Sequence, residues 1–271
     1  MDIGGNDMLI CPVCGNSLEL GSKFSRCVKG HSFDRAKEGY FNFLRSNKNG
    51  DLIGDDKISA RSRRDFLNKG YYSLLRDEIV SLFEDKSGIV LDICCGEGYY
   101  TSALACNNAL QVYGFDISKE MVRLAAKRGG ATCFVANLSS IPVESDSIDY
   151  AIHLFAPFQE KEFCRVLKPG GRLYSVVPGD RHLWGFKEAI YSTPYLNDEK
   201  FPETEILELV GSRKISGKIT LTSQEDIQAV FRMTPYYFHT SDADKSKISH
   251  LPQLETEISF VIGEYIKGEQ R

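Results

Sequence analysis

Val90-Leu91-Asp92-Ile93-Cys94-Cys95-Gly96-Glu97-Gly98-Tyr99-Tyr100-Thr101 is the stretch from which the fold of this 271-residue chain is read. An apolar run holding one acid reads as the first strand of a parallel sheet. Gly96 and Gly98 form the turn after it, and Tyr99–Ala105 reads as the following helix. A Gly-rich turn between such a strand and its helix lets a ligand approach the backbone closely. Asp116 lies 24 residues beyond Asp92, one strand–helix–strand unit on, where a carboxylate accepts from two ribose hydroxyls. A nicotinamide cofactor would call for G-x-G-x-x-G, and this turn does not space three glycines that way.

Outward from this turn, strand-like and helix-like segments alternate, as in a parallel sheet with helices on both faces. Strands are expected at Ile89–Ile93, Gln111–Phe115, Thr132–Val135, Ile148–Leu154 and Arg172–Val177. Helices are expected at Tyr99–Ala105, Lys119–Lys127, Gln159–Val166 and His182–Tyr191. Lys218–Leu221 and Glu257–Val261 read as final strands, with Gln224–Phe231 a helix between them. A turn with Asp92 at its start and Gly96-x-Gly98 at its end resembles the first motif of S-adenosylmethionine-dependent methyltransferases. Asp149 and the run Arg165-Val166-Leu167-Lys168-Pro169-Gly170-Gly171 resemble a later part of that fold. In that run Pro169 is expected to stop a helix and the glycines to reverse the chain. The family's first motif usually has glycine where this chain has Cys94, which puts a side chain where the cofactor passes. A negative φ at 94 tolerates it; a positive φ costs about 1–2 kcal/mol. Cys95 reads as a small buried residue rather than a nucleophile.

The front of the chain differs from the body. Net charge over the whole is −4, but residues 1–76 hold 13 Lys+Arg against 9 Asp+Glu, and residues 77–271 hold 20 against 28. A +4 front on a −8 body excludes a nucleic-acid coat over the whole molecule and leaves a local basic handle. The front also holds Cys11-Pro-Val-Cys14, twelve further residues, then Cys27, three residues and His31. That is the spacing of a closed tetrahedral zinc site, structural because four protein ligands leave no open position. A ribbon of Leu18-Glu19-Leu20 and Phe24-Ser25-Arg26 is expected to return the last two ligands. So small a segment needs the metal, which is worth roughly 10–16 kcal/mol in such peptides. A polar run from Arg45 to Asp56 reads as a linker or binding loop, followed by helices at about Asp56–Leu67 and Tyr72–Phe83. Arg61, Arg63 and Arg64 on the first of these are candidate phosphate contacts, or a solvated face. The expected units are 1–48, a zinc-ribbon module; 49–84, a basic linker and helices; and 85–271, the sheet domain. No run approaches the roughly 18–20 apolar residues of a membrane span, and the N-terminus lacks signal-peptide character. The expectation is therefore a soluble, cytoplasmic protein with no membrane partner.

The ribbon is followed by Phe33-Asp34-Arg35-Ala36-Lys37-Glu38-Gly39-Tyr40, Arg61-Ser62-Arg63-Arg64-Asp65-Phe66-Leu67 and Gly70-Tyr71-Tyr72. After the Gly-rich turn come Ala156-Pro157, Pro178-Gly179-Asp180-Arg181-His182-Leu183 and Met233-Thr234-Pro235. Together these resemble the bacterial 23S ribosomal RNA (guanine-N1) methyltransferases of the RlmA type, over nearly the whole chain. The resemblance weakens between about Asn197 and Gln224 and after Phe238. It implies an α/β, Rossmann-like S-adenosylmethionine methyltransferase sheet with an N-terminal zinc ribbon. The implied activity is methylation of a guanine in a hairpin loop of 23S rRNA, and a homodimer is left open. By match, Cys11, Cys14, Cys27 and His31 correspond to the zinc ligands. Tyr72, Gly96, Glu97 and His182 correspond to positions that contact the cofactor. Asp92, Asp116 and Asn137 follow from the general methyltransferase pattern, and Arg61, Arg63 and Arg64 are the RNA-binding candidates. Each has a plainer alternative: Tyr72 in helix packing, His182 as a helix cap, Asn137 starting a turn. His153, inside an apolar strand, reads as a satisfied core histidine.

The implied chemistry is in-line displacement, with guanine N1 held about 3–3.5 Å from the methyl carbon. N1 is protonated at neutral pH, so a base is needed, and the residues do not name one. The strand exit His153-Leu154-Phe155-Ala156-Pro157-Phe158 lacks the Asn/Asp-Pro-Pro-aromatic element suited to an exocyclic amine, which favours a ring nitrogen. Phe155 and Phe158 are candidates to stack on an unpaired base, or to fill the core. Two other classes stay open. A small-molecule methyltransferase would leave the ribbon and the Arg cluster without a role, and a non-catalytic RNA-binding protein would have lost its cofactor through Cys94.

Overall fold

A computed structural model describes residues 8–44, 57–234, 237 and 240–268. The Arg45–Asp56 run, the 48/49 boundary, Pro235 and Phe238 lie outside the described residues. The front holds β1 (Leu18–Leu20), β2 (Phe24–Cys27), β3 (Ser32–Asp34) and β4 (Phe41–Asn42), followed by α1 (Lys57–Asn68) and α2 (Ser73–Ser81). Then come β5 (Gly88–Ile93), α3 (Tyr99–Leu104), β6 (Leu110–Asp116), α4 (Lys119–Arg128), β7 (Thr132–Val135) and β8 (Ile148–Leu154). The chain continues through α5 (Glu160–Val166), β9 (Leu167–Pro178), α6 (Trp184–Ile190), β10 (Leu207–Leu221), α7 (Gln224–Arg232), α8 (Asp242–Ile248) and β11 (Leu254–Lys267).

The main sheet runs β10-β11-β9-β8-β5-β6-β7-β4. From β9 to β4 every pairing is parallel, and β11 is antiparallel to both its neighbours. This is the Rossmann-like sheet that the alternating segments imply. The parity of each strand decides which face its side chains cover. Val90, Val112, Ile152 and Val176 pack beneath α2, α3, α6 and α7 with Leu75, Leu104, Phe186 and Phe231. Leu91, Phe115, Ala151 and Leu173 face the opposite way, onto Phe163 of α5 and onto the front of the chain. Burial on both faces makes these strands continuously apolar, and so legible in sequence. The order reverses beside β5, with β6 on one side and β8 on the other, and a ligand crevice opens at such a reversal.

The ribbon β1-β2-β3 is a separate small sheet, but β4 joins the large one. Phe41 pairs with Phe134 and Asn42 with Val135. Met8, Leu9, Cys11, Leu18, Cys27, Phe41 and Phe43 share one core with Phe115 and Phe134.

Two sequence expectations are corrected. Lys218–Leu221 and Glu257–Val261 prove to be parts of a much longer hairpin, β10 with β11. From Glu208 to Lys214 both faces of β10 are exposed, so no alternating apolar pattern marks that half of the strand. Lys168-Pro169-Gly170-Gly171 also does not reverse the chain. Leu167 pairs with Ile148 and Arg172 with Tyr150 in the same direction, so the intervening residues bulge outward. Gly170 makes the bulge possible at φ 76°, and Lys168 Nζ ties it to Asp149 Oδ1 at 2.7 Å.

Candidate active site and metal centre

The site is built at the carboxyl ends of β5, β6 and β8. Asp92 is buried, and Thr101 Oγ1 donates to its Oδ2 at 2.5 Å, tying the strand to α3 across the turn. Burial pushes the Asp92 carboxyl up to about 7, against the lowering effect of Thr101. Cys94 adopts φ 58°, the strained alternative of the two weighed above. Burial also pushes its thiol up to about 12 and holds that of Cys95 well above the usual thiol range. Both stay neutral near pH 7, which fits the reading of Cys95 as a small buried residue and excludes a thiolate nucleophile.

Gly96 has φ 55°, and its N–H donates to Asp116 Oδ2 at 3.1 Å. Ser118 N–H donates to the other Asp116 oxygen at 2.8 Å. A Cβ on Gly96 would meet nothing within 4 Å, so the backbone here borders open space. At Gly98 a Cβ would come within 2.8 Å of Ala125, so that glycine is required by packing against α4. Glu97 is 1% exposed. Its Oε2 accepts from Arg128 Nε at 2.6 Å, whereas its Oε1 has no hydrogen-bond partner among the described residues. Tyr100 Oη is likewise buried without a partner among them. Its hydroxyl proton is held on by burial first, then by the proximity of Tyr72, Tyr99, Glu97 and Asp92. These orphaned polar atoms and the half-buried Asp116 carboxylate beside an open glycine fit a ligand with hydroxyl and ammonium donors. S-adenosylmethionine has both, and the site accommodates it on those grounds.

Tyr72 and His182 meet on the neighbouring side. Leu183, not His182, is the cap of α6. Tyr72 does pack in the core, edge-on to Phe66 of α1 at 5.4 Å and to Phe260 at 5.2 Å, as its plainer reading has it. His182 Nδ1 accepts from Ser259 N–H at 3.2 Å. Nε2 therefore carries the proton and donates to Tyr72 Oη at 3.3 Å. Burial lowers the His182 imidazole to about 3, so it remains neutral. Asn137 behaves differently: exposed at the end of β7, it accepts at Oδ1 from Ser139 N–H at 3.0 Å and Ser139 Oγ at 2.9 Å. Its side chain starts a turn, the plainer of its two readings. His153 is the satisfied core histidine expected, bonded to Ser175 Oγ at 3.1 Å and the Pro157 carbonyl at 3.2 Å. Phe158 packs on His153, Phe163 and Tyr265.

The three arginines share α1 but not one environment. Arg61 is exposed and lines a groove of about 480 Å³ between α1 and α7, with Lys69, Glu225 and Asp226. Arg63 and Arg64 lie within electrostatic reach of Glu97. The residues that the sequence reading did not single out are Thr101, Arg128, Tyr100 and Ser259. Thr101 and Tyr100 stand in the diagnostic stretch itself; Arg128 and Ser259 come from segments with no local signal.

The metal site is compact. The ligand atoms of Cys11, Cys14, Cys27 and His31 all lie within 4.8 Å of one another. Cys14 Sγ to Cys27 Sγ is 3.7 Å, and His31 Nδ1 is 3.5 and 3.4 Å from Cys11 and Cys27 Sγ. A tetrahedral zinc with Zn–S near 2.3 Å sets sulfur–sulfur edges of about 3.8 Å, so the donor set and its spacing fit zinc. Asn16 Nδ2 donates to Cys14 Sγ at 3.2 Å and supports the thiolate from outside the ligand set.

A family model described as "Methyltransferase domain" matches residues 90–171, and one described as "RlmA, N-terminal" matches residues 9–49. The Bacillus subtilis (strain 168) protein named "Putative 23S rRNA (guanine-N(1)-)-methyltransferase YxjB" is 29% identical, over 94% of this chain and 96% of the relative. The Streptomyces fradiae "23S rRNA (guanine(748)-N(1))-methyltransferase" is 28% identical, over 94% and 95%. A Micromonospora griseorubida protein with the first name, without its suffix, is 30% identical over 65% of this chain and 67% of its own length.

Proposed function

The chain belongs to the family of 23S rRNA (guanine-N1) methyltransferases, and from that premise we propose that it transfers a methyl group from S-adenosylmethionine to N1 of a guanine in 23S rRNA. The observation that carries this reading is the span of the likeness. It runs from the zinc ribbon through the sheet, over 94% of the chain, in relatives whose names state this reaction.

The cofactor would lie across the Gly96–Glu97 backbone, with Asp116 accepting from its ribose and the Glu97 and Tyr100 oxygens facing its polar groups. Bound there, its sulfonium would supply an electrophilic methyl carbon to guanine N1, which must give up its own proton to a base as the new bond forms. Asp92, tied to Thr101, holds the turn in shape. His182, fixed by Ser259 as the Nε2–H tautomer, donates to Tyr72 Oη, so the Tyr72 hydroxyl proton is directed onward as a donor. Neutral thiols at Cys94 and Cys95 leave the methyl group for the substrate. The rRNA would be met by the zinc-bearing front and by Arg61 on α1, in the cytoplasm where ribosomes are made.

Titration calorimetry with S-adenosylmethionine tests the cofactor half. Wild-type protein should bind, and Glu97→Gln, which removes the charge but keeps the shape, should bind at least tenfold more weakly. A wild-type protein that binds no S-adenosylmethionine refutes the reading.

A further inference from the structure

Among the described residues, three of the four non-glycine residues with left-handed backbone border this one site. Cys94 (φ 58°) follows β5, Phe155 (φ 55°) follows β8, and Leu183 (φ 57°) follows His182. Strain of this kind persists only where the surroundings over-determine it, and it gathers at binding and catalytic sites. At Phe155 its effect is to leave a large aromatic side chain 47% exposed at the carboxyl edge of the sheet. Ile93 pairs with His153, so Phe155 stands one strand across from Cys94 and the cofactor turn.

The turn that carries Phe155 is fixed from below. His153, buried and held neutral at about 4 by burial, bonds Ser175 through Nδ1 and the Pro157 carbonyl through Nε2. The Phe155 N–H donates to the Val176 carbonyl at 3.4 Å. Sideways, its ring lies near-parallel to His182 (22°, centroids 6.5 Å apart) and against Phe260 at 5.8 Å. The Phe155 ring is thus an anchored, partly supported and partly bare flat surface beside the reacting centre. Phe158, the other aromatic of this exit, is turned into the core.

We propose that Phe155 is the stacking platform for the target guanine. The proposal rests on the rRNA methyltransferase reading above and adds to it the residue that holds the base. Stacking on an aromatic face suits a base displaced from a loop and fixes the plane in which N1 is presented. A half-bare phenyl ring in a strained backbone has no evident purpose in folding, because a smaller residue that tolerates φ 55° would close the same turn with less strain.

The test compares Phe155→Asn, Phe155→Leu, Phe155→Tyr and Phe155→Trp, the last in a Trp184→Phe background so that residue 155 carries the chain's single indole. Phe155→Asn tolerates the left-handed backbone and should keep a thermal midpoint at or above that of wild type. Both Phe155→Asn and Phe155→Leu should lose about 10- to 100-fold in kcat/KM for the RNA, with S-adenosylmethionine affinity unchanged. Phe155→Tyr should restore most of the rate. Adding a 23S hairpin that contains the guanine should quench the indole of Phe155→Trp. Unaltered RNA kinetics in Phe155→Asn, a matching loss of cofactor affinity, or an unquenched indole with bound RNA would overturn the proposal. A wild-type protein that methylates no rRNA while the indole is still quenched would instead count against the reaction, leaving the platform in place.

Discussion

Cys94 and Asp92 sit two residues apart and each departs from what its side chain prefers. A left-handed cysteine costs about 1–2 kcal/mol, and a glycine there adds about 0.5–1 kcal/mol of unfolded-chain entropy to be lost. Cys94→Gly should therefore stabilise the protein by about 0.5–1 kcal/mol in urea unfolding; a destabilised variant would show that the thiol's packing outweighs the strain. Asp92 offers a sharper test. Its folded value near 7 lies above that of an unfolded aspartate, so the folded state keeps a proton that the unfolded chain has released. The stability linked to this group is full below about pH 4 and is lost as pH rises toward 7. Asp92→Asn, which keeps an acceptor for Thr101, should match wild type near pH 4 and exceed it progressively up to neutral pH, by at most about 4 kcal/mol. Unfolding curves for both proteins at pH 4.5 and 7.5 check this, and a constant difference would contradict it. Both residues were legible as part of the motif, but the sign of φ at 94 was not, because the chain carries a cysteine where glycine would have announced it.

α1 shows what element-scale reading reaches and where it stops. Its basic character is plain in sequence, yet only packing reveals that Arg63 and Arg64 come within electrostatic reach of Glu97 while Arg61 is exposed. Ala60 against Met121 and Leu124 fixes that rotation. Arg61→Glu should weaken rRNA binding several-fold and lower the salt dependence by about one unit or more in the log–log slope, leaving cofactor affinity intact. Reversal at Arg63 or Arg64 should change cofactor affinity as well, through Glu97. Filter binding over a salt series, with calorimetry for the cofactor, separates the two effects; an unchanged RNA affinity in Arg61→Glu would remove α1 from the RNA surface. β5, β6, β7 and β8 were found almost to the residue because both their faces are buried, whereas β9 begins at Leu167, ahead of the expected Arg172. The first half of β10 was missed for the opposite reason, since an exposed edge strand needs no apolar pattern. β4, two residues long, had no pattern to detect.

For the whole molecule, the zinc-bearing front and the sheet share aromatic packing. Phe43 lies 5.6 Å from Phe134, which stacks on Phe115 at 5.5 Å. The charge split at residue 76 marks a change of surface, and the core runs across it. One zinc per chain is expected by elemental analysis. Chelating it should lower a single thermal transition of the whole protein; an early melting of the front that leaves the sheet's midpoint unchanged would contradict the shared core. The central claim concerns the reaction. Wild-type protein, S-adenosylmethionine and unmodified 23S rRNA should be incubated together, and the product mapped by reverse transcription, which a methyl on guanine N1 arrests. The account predicts a cofactor-dependent arrest at one loop guanine, weakened by Glu97→Gln. Binding of S-adenosylmethionine with no arrest anywhere in the rRNA would contradict it.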